Sequence, residues 1–217
     1  MITVKNLYKS YGSLEVLKNI NFEIQDGEIV SITGASGAGK TTLLNLIGTL
    51  DKADGGEIFI NNKNVTTLSE RELSVFRNRE IGFVFQFHYL LNEFTALENV
   101  IMPALLYGGD KKQTENKAKE LFDVLSISSK ENSFPNEMSG GEMQRVAIAR
   151  ALINSPALVL ADEPSGNLDS KNSQQLFDLF FMLRKKYNQT FVIVTHSEKF
   201  AMLSDRKLII SDGTIIE

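Results

Sequence analysis

Short apolar runs alternate with amphipathic stretches along the chain. Apolar runs bounded by turn residues are typical of buried strands, and apolar residues recurring every three or four positions are typical of helices. This alternation predicts an α/β fold with a mostly parallel sheet covered on both faces. The predicted strands cover residues 2–11, 14–24, 29–33, 57–60, 81–85, 157–161, 191–194 and 207–210. Helices are predicted at 42–47, 69–77, 112–125, 139–154, 169–187 and 198–203.

Two regions depart from the alternation. The first two strands are broken only by Gly12-Ser13 and end at the turn signal Asp26-Gly27, which predicts an N-terminal antiparallel β layer. Residues 87–137 have a helical pattern, with a capping box at Thr95–Glu98. We expect one domain over 1–217, with a core and β layer at about 1–86 and 138–217 and an inserted α-helical subdomain at about 87–137.

The amino-acid composition argues against several classes of protein. The net charge of −4 argues against a nucleic-acid binder that relies on a broad basic face. The chain has no cysteine, so disulfides and thiolate metal sites are excluded. No signal-peptide pattern precedes the first predicted strand, and no apolar run approaches the ~20 residues that span a bilayer. We therefore expect any membrane role to depend on a partner.

A phosphate-binding loop is predicted after the strand at 29–33. The residues from Gly34 to Thr41 match G-x-x-x-x-G-K-[ST], the P-loop, and a helical run follows. Its N–H groups would form an anion nest at a helix N-terminus. Lys40 would reach the β- and γ-phosphates, and Thr41 would offer its hydroxyl to Mg²⁺. The alternative is a Gly-rich turn before a helix. The predicted nucleotide-binding residues are Gly34, Ala35, Ser36, Gly37, Ala38, Gly39, Lys40, Thr41 and Thr42.

Two acids follow the apolar strand at 157–161. Ligands of open α/β sheets bind beyond the carboxyl ends of strands, so Asp162 and Glu163 would face the P-loop. Asp162 is placed to hold Mg²⁺ through water, and Glu163 to orient and deprotonate an attacking water. Two solvated acids at a strand end are the alternative.

The segment Ser139-Gly140-Gly141-Glu142 opens a predicted helix. It matches a capping box, which is the simpler interpretation. However, two glycines weaken a helix by about 1 kcal/mol each, and a cap does not need them. A backbone that lies against a phosphate does need them.

Taken in order, the P-loop, Gln86, Met138–Glu142, Asp162-Glu163 and His196 resemble the ATPases of ABC transporters. The resemblance covers essentially the whole chain. Its one departure is the signature, usually Leu-Ser-Gly-Gly-Gln, in which Met138 and Glu142 replace the first and last residues. Glu142 brings a negative charge near the nucleotide, which leaves its role open.

The resemblance implies roles for residues that are weak signals alone. Gln86 would touch Mg²⁺ and the attacking water, and His196 would contact the γ-phosphate. Asp169 would act in the D-loop, and an N-cap is an equally natural role for it. Tyr11 would stack on adenine, with Tyr8 as the competing candidate and a core aromatic as the alternative.

The resemblance also implies cofactors and partners. Two copies would bind head to tail and enclose ATP and Mg²⁺ between the P-loop of one copy and the signature segment of the other. The residues acting in trans would be Ser139, Gly140, Gly141, Glu142 and Asp169. Transmembrane permease subunits would hold the pair at the cytoplasmic face of a bacterial inner membrane, and no nucleic acid is expected.

A narrower resemblance concerns residues 85–91, 93–100 and Met102-Pro103, which are similar to the ATPases of lipoprotein-releasing systems. The run 162–169 also fits macrolide exporters, antimicrobial-peptide exporters and cell-division ATPases. A soluble ABC ATPase acting on DNA or ribosomes usually has twin cassettes or long coiled coils, and a small P-loop kinase would not need Ser139-Gly140-Gly141. The apolar stretch 87–106 follows Gln86, and we expect part of it to contact the permease.

Overall fold

The computed structural model describes residues 1–216. The strands are β1 (Ile2–Tyr11), β2 (Leu14–Ile24), β3 (Ile29–Gly34), β4 (Gly55–Ile60), β5 (Lys63–Asn64), β6 (Ile81–Phe85), β7 (Leu158–Asp162), β8 (Thr190–Val194), β9 (Arg206–Ser211) and β10 (Thr214–Ile215). The α-helices are α1 (Lys40–Ile47), α2 (Glu70–Glu80), α3 (Ala96–Leu106), α4 (Lys111–Val124), α5 (Gly140–Leu152), α6 (Ser170–Tyr187) and α7 (Glu198–Leu203). The elements follow the predicted order, and most ends differ by one or two residues.

The strands form two sheets. The N-terminal layer has the order β2-β1-β4-β5, and all its neighbouring strands are antiparallel. The second sheet has the order β10-β9-β3-β8-β7-β6 and is parallel except for β10. The predicted fold class, a mostly parallel sheet with an antiparallel layer and added helices, is therefore confirmed.

The parallel sheet separates two hydrophobic cores. Side chains of a strand point alternately to opposite faces, and in β7 Val159 and Ala161 join one core while Leu158 and Leu160 join the other. One core contains residues of α3, α4, α5 and α6, and the other contains residues of the β layer, α1 and α2. Burial on both faces explains why these strands read as continuous apolar runs.

Two features of the fold carry no local sequence signal. Helix α2 continues beyond Arg77, where the sequence predicted its end, to Glu80, and Ile81 then takes extended angles and begins β6. The helix enters the strand without a turn, so no glycine or proline marks its end. Strands β5 and β10 have two residues each, which is too short to show a period.

The boundaries of the helical subdomain at 87–137 stay a prediction. That range contains α3 and α4, and α3 contacts both α4 and α5. None of the helices in the described residues has the length and apolar character to cross a bilayer.

Candidate functional site

The carboxyl ends of four neighbouring strands lie at one edge of the parallel sheet. In the register of these strands, Phe85 is opposite Asp162, Asp162 is opposite Val194, and Val194 is opposite Ile32. The segments that follow them carry Gln86, the acids, His196 and the P-loop. Topology therefore brings together residues that are far apart in the sequence.

The P-loop connects β3 to α1 through left-handed backbone. Gly34 has a φ of 144°, and a Cβ there would lie 2.2 Å from the carbonyl oxygen of Ile210. Gly39 has a φ of 103°, and its Cβ would lie 2.8 Å from Leu17. These two positions require glycine because a side chain would have the wrong backbone angles and no space.

The first turn of α1 is open to an anion. Each of the six α-helices from α2 to α7 has a side chain that caps its N-terminus, whereas α1 has none among the described residues. Lys40 is buried, and its Nζ donates to the carbonyl oxygens of Gly34 and Ala35 at 3.0 and 2.8 Å. Uncapped N–H groups beside a lysine ammonium fit a polyphosphate.

A hydroxyl and a carboxylate meet beside the P-loop. Thr41 Oγ1 donates to Asp162 Oδ1 at 3.4 Å. Burial raises the pKa of Asp162, and the hydrogen bond from Thr41 and the charge of Lys40 act in the opposite direction. Oxygen ligands of this kind suit Mg²⁺, which proteins hold through one or two carboxylates together with substrate phosphates. The described residues contain no cluster of three or more acids, histidines or cysteines that could hold a metal ion.

Glu163 lies directly beyond β7 in a left-handed conformation, with a φ of 46°. Its N–H donates to Val194 O at 3.0 Å, and its Oε2 accepts from the N–H of His196 at 3.2 Å. His196 Nε2 lies 3.1 Å from Oε1 but outside hydrogen-bonding geometry. The Oε1 atom is itself buried and accepts no hydrogen bond from the described residues. Burial raises the pKa of Glu163, and His196 opposes this effect. A half-buried carboxylate with a free lone pair is suited to accept a proton.

Gln86 contacts the segment that follows Glu163. Its Nε2 donates to Asn167 Oδ1 at 3.3 Å, and Asn167 Nδ2 donates back to Gln86 O at 3.0 Å. A Cβ at Gly166 would lie 2.7 Å from Gln86 Nε2, so a larger residue there would displace the Gln86 amide from this position. Sequence reasoning did not assign a role to Asn167, because its partner is 81 residues away.

Ser139 caps α5 in a reciprocal capping box with Glu142. The Ser139 N–H donates to Glu142 Oε2 at 2.8 Å, and the Glu142 N–H donates to Ser139 Oγ at 3.3 Å. Lys130 Nζ lies 3.2 Å from Glu142 Oε1 and balances the charge that distinguishes this signature from the usual glutamine. The hydrogen bond from the Ser139 backbone is the main cause that lowers the pKa of Glu142.

The two signature glycines have no packing requirement within the described chain. A Cβ at Gly140 would meet nothing within 4 Å, and one at Gly141 would have only Asn172 Oδ1, at 3.8 Å. Both residues are helical, so backbone angles do not require glycine either. Contacts within the described chain therefore do not account for glycine at these two positions.

Asp169 caps α6, as the sequence indicated. Its Oδ1 accepts from the Asn172 N–H at 2.8 Å, and its Oδ2 accepts from Asn172 Nδ2 at 2.8 Å. Within the described residues, no hydrogen bond or ion pair joins Ser139, Glu142 or Asp169 to the P-loop. Their roles in trans therefore stay a prediction.

Tyr11 and Tyr8 lie in different surroundings at the end of β1. The Tyr11 hydroxyl donates to Asp51 Oδ2 at 2.5 Å, and Lys9 Nζ lies 4.9 Å from the Tyr11 ring centre. This hydrogen bond raises the pKa of Tyr11, and the charge of Lys9 and then a hydrogen bond with Thr42 beside the P-loop act in the opposite direction. Tyr8 instead lies against Gly55 of β4. Tyr11 is therefore the tyrosine on the P-loop side, although its contact with adenine stays a prediction.

The family model of the ABC transporter matches residues 17–166, which is more than half of the chain. The chain therefore belongs to the ABC transporter family. It is 56% identical over 216 residues to the lipoprotein-releasing system ATP-binding protein LolD of Bacteroides fragilis, covering 100% of both chains. It is 55% identical over 211 residues to the protein of the same name in Cytophaga hutchinsonii, covering 97% of this chain and 96% of the relative.

A solved structure supports the same assignment. The dimeric bacterial ABC transporter cassette MJ0796 has a TM-score of 0.90 and 40% identity, with coverage of 100% of this chain and 97% of that one. A second structure of that cassette is a post-hydrolysis dimer bound to ADP and Pi. The chain is accordingly an ATP-binding and ATP-hydrolysing subunit of the ABC class, as the sequence predicted.

Proposed function

We propose that this protein is the ATPase subunit of a bacterial lipoprotein-releasing system and powers release of lipoproteins from the inner membrane toward the outer membrane. The observation that carries the proposal is full-length identity of 55–56% to ATPases named for that system. The cassette would lie at the cytoplasmic face of the inner membrane and be held there by a permease. The exporters and cell-division ATPases that share residues 162–169 are the alternatives.

The active unit would be a homodimer that encloses two ATP molecules. The dimeric cassette at 40% identity supports this arrangement. The open space over Gly140 and Gly141 supports it independently, because a phosphate and the partner's backbone would fill it. Each ATP would contact the P-loop of one copy and Ser139 to Glu142, with Asp169, of the other.

In each such site, different residues would have different roles in ATP hydrolysis. Mg²⁺, held by Thr41, Gln86 and Asp162, would neutralise charge on the β- and γ-phosphates. Lys40 would bind the same phosphates, and Tyr11 would stack on the adenine.

The chemical step would depend on Glu163. Its carboxylate would take a proton from water as the water oxygen bonds the γ-phosphorus and the bond to the ADP oxygen breaks. His196 would orient Glu163 and contact the γ-phosphate.

A cleft of about 760 Å³ offers a docking site for the permease. It lies between α2, β6, the end of α3 and α5, and exposed apolar side chains of Leu50, Val75, Tyr89 and Leu106 line it. Val100 and Ile101, which the predicted stretch 87–106 also contains, are buried in the core instead. An amphipathic cytoplasmic helix of the permease would bind here, because an apolar groove accepts such a helix.

The test is reconstitution. The chain should be tagged and purified from membranes with its permease, and the complex placed in liposomes that contain a triacylated lipoprotein. The proposal predicts that ATP releases the lipoprotein and that Glu163→Gln abolishes release while the complex remains assembled. Tyr89→Ser should weaken assembly with the permease, whereas Tyr187→Ser, which changes an exposed tyrosine outside the cleft at the end of α6, should not. ATP-driven movement of a macrolide or peptide without lipoprotein release would contradict the proposed cargo.

A further inference from the structure

Arg150, near the end of α5, binds the backbone of the segment that follows Gln86. Its Nη1 donates to Tyr89 O and its Nη2 donates to His88 O, both at 2.6 Å. The two nitrogen atoms of one planar guanidinium thus hold two consecutive carbonyl groups. Lysine has no equivalent fixed pair of donors.

The backbone at this point has unusual angles. His88 and Tyr89 have φ values of 59° and 47°, so two consecutive residues other than glycine are left-handed. The Tyr89 N–H also donates to Phe87 O at 2.6 Å, which closes a tight turn. Such angles cost about 1–3 kcal/mol per residue and persist only where the surroundings enforce them. The guanidinium fork supplies that restraint.

The charge of Arg150 has no acidic partner among the described residues. No ion pair includes it, and burial is the only cause that lowers its pKa. Its charge is therefore stabilised mainly by the carbonyl dipoles of the turn. Arg150 is half-buried, and its two hydrogen bonds favour the conformation of the turn that presents both carbonyl groups to the guanidinium.

The position of the turn links three parts of the molecule. It begins two residues after Gln86, and the Tyr89 side chain lines the 760 Å³ cleft together with Arg150. Arg150 lies on the helix whose N-terminus is capped by Ser139. Arg150 thus joins α5 directly to the backbone between Gln86 and the cleft.

We propose that Arg150 is a positioning residue that couples α5 to the turn at His88–Tyr89 and so makes the cleft respond to nucleotide. The measurement of permease-stimulated hydrolysis rests on the proposed function. The measurement of hydrogen exchange requires only this chain and ATP. Arg150 touches neither nucleotide nor reacting atoms in this account. It acts through the turn.

The test compares Arg150→Met with Arg145→Met. Arg145 is the matched control, because it lies on the same helix and its Nη1 also donates to a backbone carbonyl, that of Leu125, at 3.0 Å. Hydrogen exchange of residues 86–94 should be measured in the Glu163→Gln background with and without ATP. We expect Arg150→Met to increase exchange there by about 10-fold, the effect of losing roughly 1.4 kcal/mol of local stability. The ATP-dependent difference in this segment should disappear.

The second readout uses the assembled complex without the Glu163 change. Arg150→Met should keep the KM for ATP within about 2-fold and lose most of the stimulation of hydrolysis by the permease, whereas Arg145→Met keeps the stimulation. Wild-type exchange in Arg150→Met, or equal losses in both variants, overturns the proposal. If Arg150→Met does not fold, Arg150→Lys replaces it, and wild-type exchange and stimulation in that variant overturn the bidentate clamp. If the permease does not stimulate ATP hydrolysis in the wild-type complex, the result counts against the proposed function. Hydrogen exchange of residues 86–94 then decides the role of Arg150.

Discussion

The double variant Gly140→Ala/Gly141→Ala should have opposite effects on stability and on function. Alanine favours helix over glycine by about 0.5–1 kcal/mol per residue. Both residues are helical, and the added methyl groups meet no atom closer than 3.8 Å in the described chain. Because the two positions are in the first turn, we use the lower value, which gives about 1 kcal/mol for the pair.

The assay is thermal unfolding of the isolated chain. For a domain of 150–250 residues, 1 kcal/mol corresponds to a rise in Tm of about 2–4 °C. Two methyl groups placed between the helix N-terminus and a phosphate should at the same time reduce ATP hydrolysis by about 10-fold or more. Binding of ATP to the monomer should not change, since the P-loop is intact.

Two results would refute this reasoning. A decrease in Tm would mean that the methyl groups meet atoms of the chain itself. An increase in Tm together with unchanged hydrolysis would mean that neither phosphate nor partner approaches these glycines.

The remaining predictions concern three polar residues, two at the P-loop edge of the sheet and one on α5. Because burial raises the pKa of Glu163, its contribution to stability is fully present below the unfolded pKa of about 4.3 and is lost as pH rises through the higher folded pKa. Glu163→Gln should therefore raise the Tm at pH 7.5 but not at pH 4 and lower turnover by about 10²-fold, and equal Tm gains at both pH values would contradict the argument. Lys40→Ala should instead weaken ATP binding in titration calorimetry, since it removes a cation from the phosphates; unchanged affinity would place the phosphates elsewhere. Both amide atoms of Gln144 are buried without a partner among the described residues, beside a cavity of about 20 Å³. Gln144→Met should leave the free energy of urea unfolding unchanged or increase it, and a loss of more than about 1 kcal/mol would mean that a water satisfies the amide.

Much of the site could be predicted because its chemistry depends on residues that are adjacent in sequence. The P-loop needs its glycines, lysine and threonine at fixed spacing, and Asp162-Glu163 follows an apolar strand directly. In a parallel sheet the carboxyl ends of all strands lie at the same edge, so these two motifs are expected to lie close together. Gln86 and His196 were assigned only through the resemblance to a family. By itself, Gln86 is a polar residue at the end of a strand and His196 is a lone histidine, and neither pattern indicates a function.

The supporting contacts could not be predicted because each joins distant parts of the chain. Lys130 neutralises Glu142, Asp51 holds the Tyr11 hydroxyl, and Arg150 holds a turn 61 residues away. A lysine or aspartate at an exposed position gives no local signal of its partner. The departure of the signature from glutamine becomes understandable only once the position of Lys130 is known.

Hydrolysis by a mixed dimer tests whether two copies share their ATP sites. One chain carries Lys40→Ala and the other carries Ser139→Arg, and each variant alone should be nearly inactive. If each site combines the P-loop of one copy with the signature of the other, both defects fall in one site of the mixed dimer and the second site is intact. Mixing the two variants should then restore hydrolysis well above that of either parent. Activity no greater than that of the parents, in a mixture shown to form heterodimers, would contradict shared sites.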